Sequence, residues 1–98
     1  MRPISIIWDL DDDLDGNVQH IEEHGISTGE VEEIFEDPYS DLAVNRSESG
    51  YNLTFGYTRD GRYLAVVWEH VDDDPLTVKP ITAYDAPEPK TKRRRKRR

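Results

Sequence analysis

The chain has no cysteine, no long apolar run and few cations outside its last nine residues. Without cysteine it forms no disulfide and offers no thiolate, which is typical of cytoplasmic proteins. No apolar run approaches the ~20 residues that a membrane-spanning helix needs. The N-terminus also lacks the basic and apolar regions of a signal peptide. We therefore expect a cytoplasmic protein, whose 98 residues suit one small domain.

The shortage of cations divides the chain into two parts. All 21 acidic residues precede residue 90, against five basic residues, so this part carries a net charge of −16. Residues 90–98, KTKRRRKRR, contain the other eight basic residues. This split predicts a domain over residues 1–86 and a disordered Pro/Lys/Arg-rich tail over residues 87–98.

The tail is a candidate for binding nucleic acid, because contacts to phosphate supply non-specific affinity. It has no aromatic residue, so it offers charge without base stacking. The candidate residues are Lys92, Arg93, Arg94, Arg95, Lys96, Arg97 and Arg98. An acidic partner, the chain's own acidic part, or a purely solubilising role are the alternatives that charge alone leaves open.

The first part of the chain predicts a strand followed by a short helix. Residues 4–8, ISIIW, are apolar and rich in β-branched side chains, as in a strand. Val18 and Ile21 are three residues apart, which favours a helix over residues 17–24. Gly25 stands where the helix needs a left-handed terminal residue.

A second helix is predicted over about residues 28–36. Ser27 and Glu30 form an S-x-x-E capping box at its start. Asp37-Pro38 ends it, because the residue before proline disfavours helical backbone.

The remainder of the domain predicts strands, over residues 42–46, 51–57, 63–70 and 76–84. Residues 51–57 alternate apolar and polar, as in a half-buried strand. Residues 63–70, YLAVVWEH, are the most apolar and indicate a central strand. Arg59-Asp60-Gly61 and residues 72–75 are turn signals, and Pro80 places the middle of the last strand at an edge or a bulge.

The predicted order is therefore β-α-α-β-β-β-β. Helices grouped early and strands grouped late are typical of an α+β fold. We expect both helices to pack on one face of an antiparallel sheet.

The acidic segment after the first strand matches a calcium-binding pattern, D-x-[DN]-x-[DN]-G-x5-E. Asp11, Asp13, Asp15 and Glu22 would supply carboxylates, and Asn17 a backbone carbonyl. The segment before the loop predicts a strand and not a helix, which argues against an EF-hand and leaves a strand–loop–helix calcium site as the form that calcium binding would take. The competing interpretation is structural, since carboxylates gather before helix N-termini for electrostatic reasons.

Two histidines, His20 and His24, are four residues apart and share a helix face. The residue after the first is Ile21, so the H-E-x-x-H zinc-protease motif is absent. A zinc site needs a third ligand, such as His70 or a carboxylate. The alternative is that His20 is a surface residue and His24 meets the helix C-terminus.

Short segments in a fixed order resemble the BrnT family of toxins, which is similar to the RelE/ParE group of small ribonuclease toxins. The matching segments are Trp8-Asp9, Asn17, His24-Gly25-Ile26-Ser27, Phe35-Glu36-Asp37-Pro38, Arg46-Ser47, Gly56, Gly61-Arg62 with Leu64 and Val66, and Ile81-Thr82-Ala83. The resemblance spans about residues 6–86. It implies an α+β toxin fold, a small antitoxin as partner and a ribonuclease mechanism without a metal or other cofactor.

The chain departs from the family where activity is concerned. The acidic segment is longer by about one helical turn. Tyr84-Asp85 follows Ala83 where the family continues with two arginines, and the domain is acidic where the family is basic. A metal-independent ribonuclease needs cations for phosphate and an acid/base pair. The candidates are Arg46, His24, Arg62 and Tyr84.

Two functions follow from the sequence. One is a toxin-like component of a type II toxin–antitoxin module, with ribonuclease activity weakened or lost. The other is a non-catalytic interaction module, with or without calcium bound over Asp11–Glu22.

Overall fold

The computed structural model describes residues 4–37, 45–46 and 50–88 of the chain. These residues form β1 (Ile4–Ile6), α1 (Asn17–Glu23), α2 (Thr28–Glu36), β2 (Asn45–Arg46), β3 (Asn52–Tyr57), β4 (Tyr63–Asp73) and β5 (Leu76–Asp85). The α+β class and the β-α-α-β-β-β-β order predicted from the sequence are confirmed. Within the described ranges, no helix has the length and apolar character needed to cross a membrane.

Local signals predict the boundaries of both helices to within one residue. The Ser27 hydroxyl accepts from the Glu30 N–H at 3.1 Å, and the Glu30 carboxylate accepts from the Ser27 N–H at 3.0 Å, so the capping box starts α2 as predicted. Helix α1 ends one residue earlier than predicted. Gly25 follows with φ 76°, a left-handed conformation that glycine adopts without a steric penalty.

The sheet has the strand order β1-β5-β4-β3-β2, with β4 central as predicted. It is mixed, which corrects the expectation of a wholly antiparallel sheet, because β1 pairs with β5 in parallel. Hairpins join β3 to β4 and β4 to β5 in antiparallel pairs. The direction of β1 against β5 is decided by how the chain returns after the helices, which no local pattern encodes.

The bounds of β1, β3, β4 and β5 differ from the predictions. Strand β3 begins at Asn52, one residue later than predicted, and residues 42–44, predicted to begin β2, lie outside the described part of the chain. Strand β1 stops at Ile6, although the Ile7 N–H still donates to the Val78 carbonyl at 2.9 Å. Strand β4 runs three residues further than predicted, and β5 one residue further. Asp72 and Asp73 therefore lie in β4 and not in the turn, because both faces of this hairpin are exposed and their carboxylates stay solvated while the backbone pairs.

Pro80 lies in an interior strand, since β5 has β1 on one side and β4 on the other. The register with β4 shifts here: Val67 pairs with Thr82 but Trp68 pairs with Pro80. The extra residue forms a bulge, which accommodates a residue that has no backbone N–H. The bulge alternative is thus confirmed and the edge alternative is wrong.

One face of the sheet carries the helices. The buried core cluster contains Ile21, Ile26, Val31, Ile34 and Phe35 from the helical region and Leu64, Val66, Trp68, Val78 and Ala83 from the sheet. Phe35 meets Trp68 edge to face, with ring centroids 5.7 Å apart. The prediction that both helices pack on one sheet face is confirmed.

The apolar stripe of β3 lies on the other face. Thr54 and Gly56 are buried towards the helices, and the Thr54 hydroxyl accepts from the Trp68 indole at 2.8 Å. Since side chains alternate along a strand, Leu53, Phe55 and Tyr57 point away from the helices. The sequence thus identified β3 as a strand. Its small residues, Thr54 and Gly56, face α2, and its large apolar residues do not.

Candidate functional site

Asn17 joins the start of α1 to two strands. Its side-chain oxygen accepts from the Asp9 N–H at 2.8 Å, and its amide donates to the carbonyls of Ile7 at 3.0 Å and Pro80 at 2.8 Å. Its backbone N–H donates to the Asp9 carboxylate at 2.9 Å. The Lys79 ammonium lies 3.7 Å from the same carboxylate. Asn17 is buried, so these bonds fix the two ends of the acidic segment to each other and to β5.

The acidic segment between those ends, residues 10–16, is a loop of two successive turns. The Asp13 N–H donates to the Leu10 carbonyl and the Gly16 N–H to the Asp13 carbonyl, each at 3.0 Å. A Cβ at Gly16 would lie 2.7 Å from the Cβ of Asp9, so only glycine allows this approach. The loop closes on itself and leaves Leu10 and Leu14 strongly exposed.

Arg62 binds two carboxylates and a carbonyl at the other end of α1. Its guanidinium donates to both oxygens of Glu30 and both oxygens of Asp85, at 3.0 Å in every case. It also donates to the Gly25 carbonyl at 3.1 Å. These contacts connect α2, β5 and the turn between the helices, with the guanidinium held in the planar geometry that carboxylates favour.

The contacts change the titration of the groups involved. The pKa of Glu30 is lowered, first by the Ser27 backbone hydrogen bond and then by the Arg62 guanidinium. The pKa of Asp85 is lowered by its hydrogen bonds from Arg62. Both carboxylates are therefore ionised at neutral pH, and the one positive charge of Arg62 faces two negative charges.

The four predicted catalytic residues lie in different parts of the fold. His24 caps the C-terminus of α1 and is exposed, next to the Gly25 carbonyl that Arg62 contacts. Tyr84 lies between Ala83, which faces the helices, and Asp85, which binds Arg62. It therefore points to the opposite sheet face. The structure thus brings His24 and Arg62 to one corner and separates them from Tyr84.

Arg46 lies in β2, at the edge of the sheet away from β1. Three strand spacings separate β2 from β5, which is roughly 14 Å. The Arg46 side chain and the tail residues 92–98 lie outside the described part of the chain.

The proposed calcium ligands are placed around the acidic loop. Asp11, Asp13 and Asp15 are exposed, and Asp13 accepts a hydrogen bond from the Asp15 N–H at 3.0 Å. Asn17 is the first residue of α1, and Glu22 is exposed near the end of that helix. Among the described residues, no group of three or more His, Asp or Glu side chains is arranged to hold a metal ion. Calcium binding stays a prediction, which titration calorimetry on the chain and on Asp13→Ala tests.

The histidines meet each other but no third ligand in the described ranges. The His20 and His24 rings are 5.7 Å apart, as their spacing predicts. His70 lies on β4, where its ring nitrogen is 2.7 Å from the Asp73 carboxylate.

Cations with a described side chain are each close to a carboxylate. Besides Arg62, these are Arg59, whose guanidinium is 3.9 Å from Glu33, and Lys79, next to Asp9. The contacts of Arg59 and Lys79 are long and exposed, so they restrain those cations less than the geometry around Arg62 does. Among the cations with a described side chain, Arg62 was the candidate for phosphate binding, and its guanidinium is already bound by two carboxylates.

The sheet face opposite the helices is aromatic, a feature that sequence reasoning missed. Phe55 and Tyr63 stack with centroids 6.0 Å apart, and Tyr57 lies 4.7 Å from Tyr63. The Tyr57 hydroxyl donates to Glu88 at 3.1 Å, and burial raises the pKa of Tyr63. The missing signal was the register of β3 against β4, which places Tyr57 opposite Tyr63.

Sequence reasoning also missed what Asn17 and Arg62 bind, because their partners lie far along the chain. Asp85 follows Arg62 by 23 residues, and Pro80 follows Asn17 by 63. Likewise the Trp8 indole donates to Glu32 at 2.9 Å across 24 residues.

Two comparisons with known proteins found no match for this chain. No protein-family model matches the chain, and no curated protein matches it either. The resemblance to BrnT toxins therefore rests on the residues of this chain alone.

Proposed function

We propose that this protein is a toxin-like component of a type II toxin–antitoxin module, of BrnT type, that binds a small antitoxin and has weakened or no ribonuclease activity. The observation that carries the second half is the engagement of Arg62 by Glu30 and Asp85. A phosphate would have to compete with two carboxylates already bound in good geometry.

The order of elements supports the first half of the proposal. Two helices on one face of a sheet, in β-α-α-β-β-β-β order, is the architecture that the resemblance implies. The residues of the resemblance also contact one another: Asp9 binds Asn17, and Arg62 binds the Gly25 carbonyl. Those residues hold secondary-structure elements together. They therefore have a structural reason to occur in a fixed order, whether or not the protein cleaves RNA.

The negative charge of the domain also supports the proposal of weakened or absent ribonuclease activity. A surface of net charge −16 repels phosphate within a Debye length of about 8 Å at physiological salt. Asp85 adds a carboxylate where the resembled family has a second arginine. The basic tail is the remaining cationic segment of the chain. It attracts RNA, or an acidic partner, through charge alone and without base specificity.

The test is induced expression of the full chain, with growth and RNA integrity followed over time. We expect little growth arrest and intact RNA, with soluble protein confirmed on a gel. In a gel-shift assay at low salt, we expect the unaltered chain to bind RNA weakly. The matched variant replaces each Lys and Arg of residues 92–98 by Gln, and we expect it to lose that binding. Rapid RNA cleavage by the unaltered chain would refute the weakened-activity claim.

The antitoxin is tested separately, by co-expression with the product of any small reading frame next to this gene. A stoichiometric complex on size exclusion supports the toxin-like assignment. If neighbouring products are soluble and none binds, the assignment is wrong.

A further inference from the structure

Leu10 and Leu14 are the most exposed large apolar side chains in the described part of the chain, at 75% and 80%. The next two, Val71 and Tyr84, are 48% and 40% exposed. Single exposed apolar residues are ordinary on protein surfaces. Two leucines this exposed, four residues apart in one loop, indicate a surface that a partner covers.

The loop that displays them is held by its surroundings. Asn17 ties its two ends together and to β5, and the Gln19 amide donates to the Asp11 carbonyl at 2.6 Å. A partner that buries the leucines therefore meets a loop that folding has already ordered. Pre-ordering of this kind lowers the entropic cost of association.

Four carboxylates surround the leucines: Asp11, Asp12, Asp13 and Asp15. All four are exposed, and none of them forms an ion pair with a cation of the described residues. Negative charge of this density excludes RNA and anionic lipid as occupants and favours a cationic one.

We infer that residues 10–15 form a docking site for a basic protein segment that carries apolar side chains, with Leu10 and Leu14 as the buried anchors and the four aspartates as the charged rim. The chain's own tail matches the charge, but residues 90–98 contain no apolar side chain to meet the leucines. A second copy brings another acidic surface against this one. A partner of different sequence fits both requirements, and the inference stands independently of the proposed toxin-like function.

The experiment measures fluorescence anisotropy of a labelled synthetic helix of leucine and lysine, added to the full chain at physiological salt. The control peptide replaces each leucine by serine and keeps the charge. We expect the Leu/Lys peptide to bind more tightly. The double variant Leu10→Ser, Leu14→Ser should weaken its binding by at least about tenfold, which is less than the loss of one fully buried leucine would cause.

Two matched variants separate the apolar anchors from the charge. Val71→Ser changes another exposed aliphatic side chain, also beside aspartates on the β4–β5 hairpin, and should leave the affinity unchanged. Asp12→Asn should weaken both peptides alike. Because all these side chains are exposed, the variants keep the fold, which circular dichroism verifies. Equal binding of the two peptides, or no effect of the leucine substitutions, would overturn the inference.

Discussion

Removing the Asn17 side chain should destabilise the fold strongly. Asn17→Ala deletes three hydrogen bonds, to the Asp9 N–H and to the carbonyls of Ile7 and Pro80. Each internal hydrogen bond contributes about 1 kcal/mol net. Alanine, a better helix former, returns a few tenths. We expect the free energy of unfolding to fall by about 2–3 kcal/mol, a large part of the 5–15 kcal/mol typical of a domain.

Urea denaturation followed by tryptophan fluorescence measures this change, since Trp8 and Trp68 both lie in or against the core. The control is Gln19→Ala, which removes one exposed hydrogen bond from the same loop. Surface changes of that kind usually stay within about 0.5 kcal/mol. A loss below about 1 kcal/mol for Asn17→Ala, or equal losses for the two variants, would refute the assigned role of Asn17.

Two further predictions concern the ion pairs of Arg62 and the capping box of α2. For Arg62→Gln, the loss of stability relative to the unaltered chain should be largest near neutral pH and shrink on acidification. The pKa values of Glu30 and Asp85 are lowered in the folded state, so their stabilisation is present above the ordinary carboxyl pKa and disappears as pH falls through the lowered values. Urea titrations at neutral and acidic pH measure it, and a pH-independent difference would contradict the ion-pair assignment. Ser27→Ala should lower the free energy of unfolding by about 1 kcal/mol, because it removes the acceptor for the Glu30 N–H. Thermal unfolding shows this as a lower Tm, and an unchanged Tm would mean that the capping box adds nothing to stability.

Features whose determinants lie close together in the sequence were predictable, and contacts between distant residues were not. The helix boundaries were predictable because their determinants are local: Ser27 and Glu30 are three residues apart, and Gly25 follows the C-cap residue of α1. The strand identities were predictable for the same reason, since alternation over residues 51–57 needs no knowledge of neighbours.

The candidate site was less predictable, because each of its bonds joins distant residues. The sequence named Arg62 as a candidate catalytic cation for phosphate, and the fold brings Glu30 and Asp85 to it. The sequence also named His24, Tyr84 and Arg46 as companions of Arg62. Strand order and side-chain alternation place Tyr84 on the far face and Arg46 near the opposite edge of the sheet.

By itself, the sequence determined the α+β class, the element order, the helix caps and the contrast in charge between residues 1–89 and 90–98, since composition, periodicity and capping act within a few residues. The tertiary structure alone decided that β1 runs parallel to β5, that Thr54 and not Phe55 faces the helices, and that Asn17 closes the acidic loop. Those outcomes depend on pairing and packing between segments that are far apart in the chain. Many arrangements share the same local pattern. The arrangement that forms is the one that buries the core and also satisfies polar groups such as Asn17.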